Sequence, residues 1–199
     1  MLGVDEAGRG PLAGPVAVGV VAVLEGFDVA VEFPGVRDSK KLSEKRREKL
    51  FTLLEGRVEK GDVRFVVELE SAETIDEEGI VTAVRRAVTR GVNALAPHPF
   101  GCPDAGDAAL VEVLLDGSLN APPEYKQQTI INGDDLVPLI SLASIAAKVT
   151  RDRLMIKLAT EFPEYGFEKH KGYGTRAHYE ALATHGPCAI HRRSFLHDK

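Results

Sequence analysis

Leu2-Gly3-Val4-Asp5-Glu6-Ala7-Gly8-Arg9-Gly10-Pro11-Leu12-Ala13-Gly14-Pro15-Val16-Ala17-Val18-Gly19-Val20-Val21-Ala22-Val23-Leu24 opens the chain, and its reading decides the fold. Residues 2–5 alternate apolar with other side chains, and residues 15–24 are valine-rich without a helical period. The stretch therefore predicts a strand, a tight glycine-rich turn and a second strand. Gly8 to Ala13 formally satisfies the G-x-G-x-x-G/A spacing of dinucleotide folds, but that spacing works only where a helix follows the turn. Here Pro15 and the valine run predict a strand, and the carboxylates of Asp5 and Glu6 would repel a pyrophosphate. A nucleotide-cofactor oxidoreductase is set aside, and no G-x-x-x-x-G-K-S/T loop occurs.

Outward from that hairpin, Ser43 is placed to cap a helix over about 44–56 whose apolar side is Leu50, Leu53 and Leu54. Residues 63–69 predict a strand. Ile75 to Leu95 predicts one amphipathic helix, with Ile80, Val84, Ala87 and Val88 at helical spacing and Gly91 near its end. The stretch 97–107 reads as a loop. Leu110 to Leu115 predicts a buried strand, Gln127 to Ile131 its neighbour, and Leu139 to Glu161 a long helix. Pro163, Gly166, Gly172, Gly174, Gly186 and Pro187 break the remainder into short helical pieces. This order predicts an α/β domain with a mixed central sheet flanked by helices. Residues 1–160 form its core, and 161–199 a small helical region of the same domain.

The 199 residues are 44% hydrophobic and 28% charged, which is globular composition. No apolar run approaches a membrane span and no signal-peptide pattern opens the chain, so the expectation is a cytoplasmic protein without a membrane partner. Cys102 and Cys188 stand far apart and read as structural thiols. The formal charge of -5 conceals an asymmetry: residues 140–199 hold ten Lys/Arg against six Asp/Glu, and the rest carries the acid excess. A basic C-terminal third beside an acidic body suits phosphate on one side and metal on another; unequal surface charge is the plainer reading.

Several carboxylates stand where apolar groups are expected. Asp5 and Glu6 end the first strand, whose side chains alternate in direction, so one of them faces inward. Asp116 closes the 110–115 run on the face of Leu114 and Glu112. Open α/β sheets place ligands at the carboxyl ends of their strands, although a turn-forming Asp accounts for either site alone. At about 100° per residue, Ile145, Val149, Asp152 and Ile156 fall within about 60° of one another, which puts Asp152 on the apolar stripe of the long helix. A buried unpaired charge is costly, so a cation must meet Asp152, either Lys148 one turn away or a metal ion shared with the other carboxylates. Four carboxylates without a Cys/His cluster specify a hard ion, Mg²⁺ or Mn²⁺. Phosphoryl transfer is the chemistry such ions serve.

The opening Gly3 to Pro15 resembles the signature of the ribonuclease HII family. The resemblance continues at Asp38-Ser39-Lys40-Lys41-Leu42-Ser43, at Ala143 to Asp152, at Tyr165-Gly166-Phe167 and His170 to Thr175, and at Gly186-Pro187-Cys188 and His191 to Phe195. These blocks follow one another through almost the whole chain, and the last is typical of bacterial members. The resemblance implies a ribonuclease H-like fold and a metal-dependent endonuclease. Its expected substrates are the RNA strand of RNA–DNA hybrids and duplex DNA carrying single ribonucleotides, cut on the 5′ side to leave 3′-hydroxyl and 5′-phosphate ends. It implies Asp5, Glu6, Asp116 and Asp152 as catalytic metal ligands for Mg²⁺ or Mn²⁺, with Asp104 and Asp107 as rivals for Asp116.

It further implies that Gly8, Arg9, Gly10 and Tyr173 read the ribose 2′-hydroxyl. Glycines let backbone approach a sugar, and an aromatic face stacks on the neighbouring residue. Lys40, Lys41, Lys148, His170 and Lys171 are the candidate phosphate contacts, each also explicable as a solvated charge. Asn132-Gly133-Asp134-Asp135-Leu136 departs from the family's Lys-Gly-Asp-Ala-Lys, and Ser141-Leu142-Ala143 departs from its run of small residues. The expected state is a monomer whose C-terminal region clamps the duplex; a sliding clamp as partner is not readable from the residues. A catalytically silent hybrid-binding protein is the alternative.

Overall fold

The computed structural model describes residues 1–37, 39, 41–96 and 111–196. The expectations resting on Lys40, Cys102, Asp104, Asp107, Leu110 and the loop 97–107 lie outside those residues. The fold is α/β, a mixed five-stranded sheet with helices on both faces.

β1 (Leu2–Ala7) and β2 (Val16–Val23) pair antiparallel, with Ala7 opposite Ala17, as the opening stretch predicts. Residues 8–15 between them form a broad loop instead of a tight turn. β3 (Val63–Glu70) pairs antiparallel with β2. β4 (Glu112–Asp116) pairs parallel with β1, and β5 (Lys126–Ile130) parallel with β4, giving the order β3-β2-β1-β4-β5. Every residue of β2 is buried, which explains a valine run with no polar alternation.

Eight α-helices, three of them single turns of four residues, and two short 3₁₀ turns surround this sheet among the described residues, and four of the helices matter for its packing. Val16, Val18, Val20 and Ala22 face a core completed by α4 (Ile80–Leu95) and by Val113 and Leu115. Val21 and Val23 face the opposite core, built with α1 (Val29–Glu32), α2 (Glu44–Lys60) and α6 (Pro138–Glu161). Ser43 caps α2 through the Arg46 amide, as expected. The buried side of α2 is Leu50, Phe51 and Leu54, while Leu53 faces out. The helix expected over 75–95 is two helices, α3 (Ala72–Glu78) and α4, because Gly79 takes φ 82, ψ 151 between them.

α6 crosses the sheet over β1 and β2 because two glycines leave room for it. A Cβ on Gly19 would stand 2.3 Å from the Ala143 carbonyl oxygen, and one on Gly3 2.6 Å from that of Leu139. Before α6 comes the single turn α5 (Gly133–Leu136). After it, α7 (Phe167–His170) and α8 (Arg176–His185, capped by Thr175) lead to the final segment. No helix among the described residues is long and apolar enough to cross a membrane.

Candidate active site

Parallel pairing sets the carboxyl ends of β1 and β4 side by side: Val4 lies opposite Leu115, so the next residues on each strand, Asp5 and Asp116, are neighbours. Asp134 joins them from the start of α5, where its amide donates to Asp116 Oδ1 at 3.2 Å. One oxygen from each of Asp5, Asp116 and Asp134 lies within 4.8 Å of the others. Asp5 and Asp134 are buried and Asp116 half-buried.

Asp5 is the most constrained member. Burial first, then the charges of Glu6 and Asp116, push its carboxyl well above the usual carboxylate range, against hydrogen bonds from the Ser144 side chain and the Glu6 backbone. Asp5 Oδ2 is fully buried and meets no hydrogen-bond partner. An orphaned anionic oxygen facing two more carboxylates is the environment a cation relieves, and a donor set made only of oxygen suits a hard divalent ion. Glu6, the next residue of β1, is half-buried, takes an ion pair from Arg9 at 3.1 Å and lies close enough for its charge to act on the Asp5 carboxyl.

Asp152 is not brought to this cluster. It is buried on α6, as its place on the stripe predicts, but Lys148 Nζ binds it at 2.7 Å and Arg47 reaches it at 3.9 Å. The local-pair explanation accounts for its burial, and the oxygen that joins those of Asp5 and Asp116 is Asp134's instead. The stripe itself ends earlier than expected, since Ile156 is 41% exposed. Asp134 carries the same signal as Asp5 and Asp116, a carboxylate just past a strand's carboxyl end, although in the sequence it stands inside a segment that departs from the family pattern.

The glycine loop rests on two fully buried arginines that sequence reasoning missed. Arg192 donates to the carbonyls of Gly8 (2.7 Å), Arg9 (2.9 Å) and Gly14 (2.9 Å). Arg151 donates to those of Pro15 (2.7 Å), Ala13 (3.1 Å) and Lys171 (3.0 Å). Burial, then the charge of Arg151, brings the Arg192 guanidinium down to about 9, and burial lowers Arg151 too. At neutral pH both remain cations, and among the described residues neither meets a carboxylate at ion-pair distance. In a trans peptide the N–H points opposite to the C=O, so the Arg9 and Gly10 amides are turned away from Arg192. Gly8 takes φ 85, and a Cβ there would stand 2.0 Å from Arg151 Nε. Only glycine fits.

The remaining candidates divide. Tyr173 is 42% exposed, with its ring 5.8 Å from Lys148 Nζ and 5.9 Å from Arg151 Cζ. Gly10 is open to solvent, and Arg9 is partly so. Lys41 pairs with Asp135 at 2.7 Å on the surface. His170 and Lys171, expected to grip phosphate, turn toward their own backbone. His170 Nε2 donates to the Tyr165 carbonyl at 2.9 Å and Nδ1 accepts from the Gly172 amide at 3.3 Å, while Lys171 Nζ donates to the Glu168 carbonyl. Cys188 is a half-buried free thiol beside His191.

The family model described as Ribonuclease HII matches residues 2–197. Ribonuclease HII of Sulfurovum sp. (strain NBC37-1) is 45% identical over 195 residues, covering 98% of this chain and 90% of the relative. That of Chlamydia muridarum is 46% identical over 193 residues, covering 97% of this chain and 80% of the relative. Among solved structures, the PCNA:RNase HII complex from Archaeoglobus fulgidus matches with a TM-score of 0.74 and 26% identity, over 100% of this chain and 96% of the other.

Proposed function

The chain belongs to the ribonuclease HII family and is a ribonuclease H endonuclease; from that premise we propose that it hydrolyses the RNA strand of RNA–DNA hybrids and nicks duplex DNA 5′ of single ribonucleotides, with Asp5, Glu6, Asp116 and Asp134 holding Mg²⁺ or Mn²⁺. The observation that carries this reading is the convergence of the Asp5, Asp116 and Asp134 oxygens at the carboxyl ends of two parallel strands, with Asp5 Oδ2 left without a hydrogen bond. Bound divalent ions supply activation of water and stabilisation of the leaving oxygen in an in-line displacement.

The protein's own groups supply alignment. Asp5 is held by Ser144 from α6 and Asp116 by the Asp134 amide, so neither carboxylate has to be ordered when substrate arrives. The Arg9 and Gly10 amides, turned outward by Arg192, offer donors to the sugar and phosphate at the scissile junction. Tyr173, exposed beside Lys148, stacks on the adjoining residue, and Gly8, Arg9 and Gly10 distinguish ribose by its 2′-hydroxyl. Water oxygen attacks phosphorus, the bond from phosphorus to the 3′ oxygen breaks, and that oxygen takes a proton, leaving a 3′-hydroxyl and a 5′-phosphate. Residues 161–199 act as the clamp on the duplex, with the enzyme monomeric and cytoplasmic. The archaeal relative's complex with PCNA supports a sliding clamp as a further partner.

Three duplexes decide the matter, one all-DNA, one with a single ribonucleotide and one RNA–DNA hybrid, each incubated with Mg²⁺, with Mn²⁺ and with chelator. The expected result is cleavage of the last two only, abolished by chelator, with the cut mapped to the 5′ side of the ribonucleotide. Binding without cleavage in either ion would overturn the proposal in favour of a hybrid-binding protein.

A further inference from the structure

Behind the Gly172-Tyr173-Gly174 turn lie two buried histidines that the reaction does not use, His178 at 0% and His191 at 2% exposure. Their partners settle where each proton sits. A carbonyl can only accept, so His178 Nδ1, 2.9 Å from the Tyr173 carbonyl, is the donor there. The Nε2 of a neutral His178 then carries a lone pair, and His191 Nε2, 3.0 Å away, donates to it. That leaves His191 Nδ1 as an acceptor, and the Cys188 amide donates to it at 2.9 Å with the Cys188 sulfur beside it at 3.1 Å. The series Cys188, His191, His178, Tyr173 thus runs with a single polarity and leaves no imidazole nitrogen unsatisfied. Burial lowers the pKa of His178, and burial, with the repulsion a protonated His178 would exert, takes that of His191 down to about 4, so the neutral rings that the hydrogen bonds require are the favoured forms.

Tyr173 is the end of this series and is held from other sides as well. Its amide donates to the His170 carbonyl at 2.9 Å, and the Gly172 amide meets His170 Nδ1. The rings of His170 and His178 stack at 4.5 Å. Within the series His191 adjoins Arg192, which grips the Gly8 and Arg9 carbonyls. The relay therefore joins the anchor of the glycine loop to the backbone of the exposed tyrosine.

We propose that His178 and His191 are positioning residues: their hydrogen-bonded series fixes the Tyr173 backbone so that its ring is presented at a ribonucleotide junction, and thereby sets selectivity for an isolated ribonucleotide over a continuous hybrid. This rests on the assignment of Tyr173 as the stacking group in the proposed reaction. An isolated ribonucleotide offers a single 2′-hydroxyl and one register for cleavage, so the placement of one ring matters more there than on a substrate with many equivalent registers.

Two measurements test it. Long-range ¹⁵N–¹H correlation on the labelled full chain near neutral pH is expected to show His178 as the Nδ1–H tautomer and His191 as the Nε2–H tautomer; finding His178 protonated on Nε2 instead overturns the relay. Kinetics then compare His178→Asn, whose side-chain amide can still donate to the Tyr173 carbonyl, with His178→Leu, which cannot. The ratio of kcat/KM on the single-ribonucleotide duplex to that on the hybrid is expected to stay within about twofold in His178→Asn and to fall by about tenfold or more in His178→Leu. Equal losses on both substrates would reduce the histidines to structural support and overturn the proposal. Wild-type protein that cut neither substrate with either ion would instead sink the reaction assignment, and the selectivity claim with it, while the tautomers would still decide the relay.

Discussion

The two oxygens of Asp5 have different surroundings: the carboxylate is hydrogen-bonded by Ser144 and the Glu6 amide, while Oδ2 is buried with no partner. Clustered carboxylates repel in the metal-free protein, so Asp5→Asn is expected to abolish metal-dependent cleavage and yet raise the stability of chelated protein by about 1 kcal/mol, or about 2–4 °C in Tm. Thermal melts with and without Mg²⁺ check this, and the ion should stabilise the wild type alone. The geometry also separates Asp134 from Asp152, the aspartate that the sequence reading puts at the metal. Asp134→Asn is expected to lower cleavage by about two orders of magnitude or more, because it removes an oxygen from the cluster, whereas Asp152→Asn, which loses only its pairing with Lys148 and Arg47, is expected to cost about tenfold or less. Single-turnover rates at saturating metal make the comparison, and equal losses would return Asp152 to the metal site.

Helix α6 and the 8–15 loop are the elements on which the site is built. Leu139, Ala143, Ala147, Arg151 and Met155 recur every fourth residue and lie against Gly3, Gly19, Ala7, Gly8 and Gly14 in turn or pack with their neighbours. Gly19→Ala is expected to cost about 2 kcal/mol or more, since its Cβ meets the backbone carbonyl of Ala143, which has no rotamer by which to yield. The same shift would draw Ser144 away from Asp5, so metal affinity should fall with stability, as urea unfolding and a Mn²⁺ titration would show. Arg192→Lys keeps the charge but cannot span three carbonyls, and is expected to destabilise by about 2–4 kcal/mol. Retention of wild-type stability would mean that the loop is held by its other contacts.

Across the whole molecule the buried histidines give stability a defined response to acid. Their folded-state pKa values lie below the unfolded value of about 6.5, so the unfolded chain binds more protons as pH falls. Stability is fully present above about pH 6.5 and declines toward pH 4, by roughly 3 kcal/mol for His191. Asp5 acts in the opposite sense, because its raised pKa favours the folded state when protonated; denaturation across pH 4–7 in Asp5→Asn therefore removes that opposing contribution. No decline in that variant would mean that the relay accepts a proton without breaking. What the sequence by itself determined is the local and periodic part: the opening hairpin from its valine run, the Ser43 cap, the long helix, the blocks that mark the family, and Asp5 and Asp116 at strand ends, all of which follow from propensities and spacings along the chain. Only tertiary structure decided that Asp134 and not Asp152 meets Asp5, that Gly79 divides one expected helix into two, and that His170 and Lys171 face their own backbone. Arg151 and Arg192, two cations satisfied by carbonyls from distant loops, have no counterpart in local pattern. The physical reason is the same in each case: a charged side chain takes its role from whichever group burial leaves within hydrogen-bond reach, and that distance exists only once the chain has closed on itself.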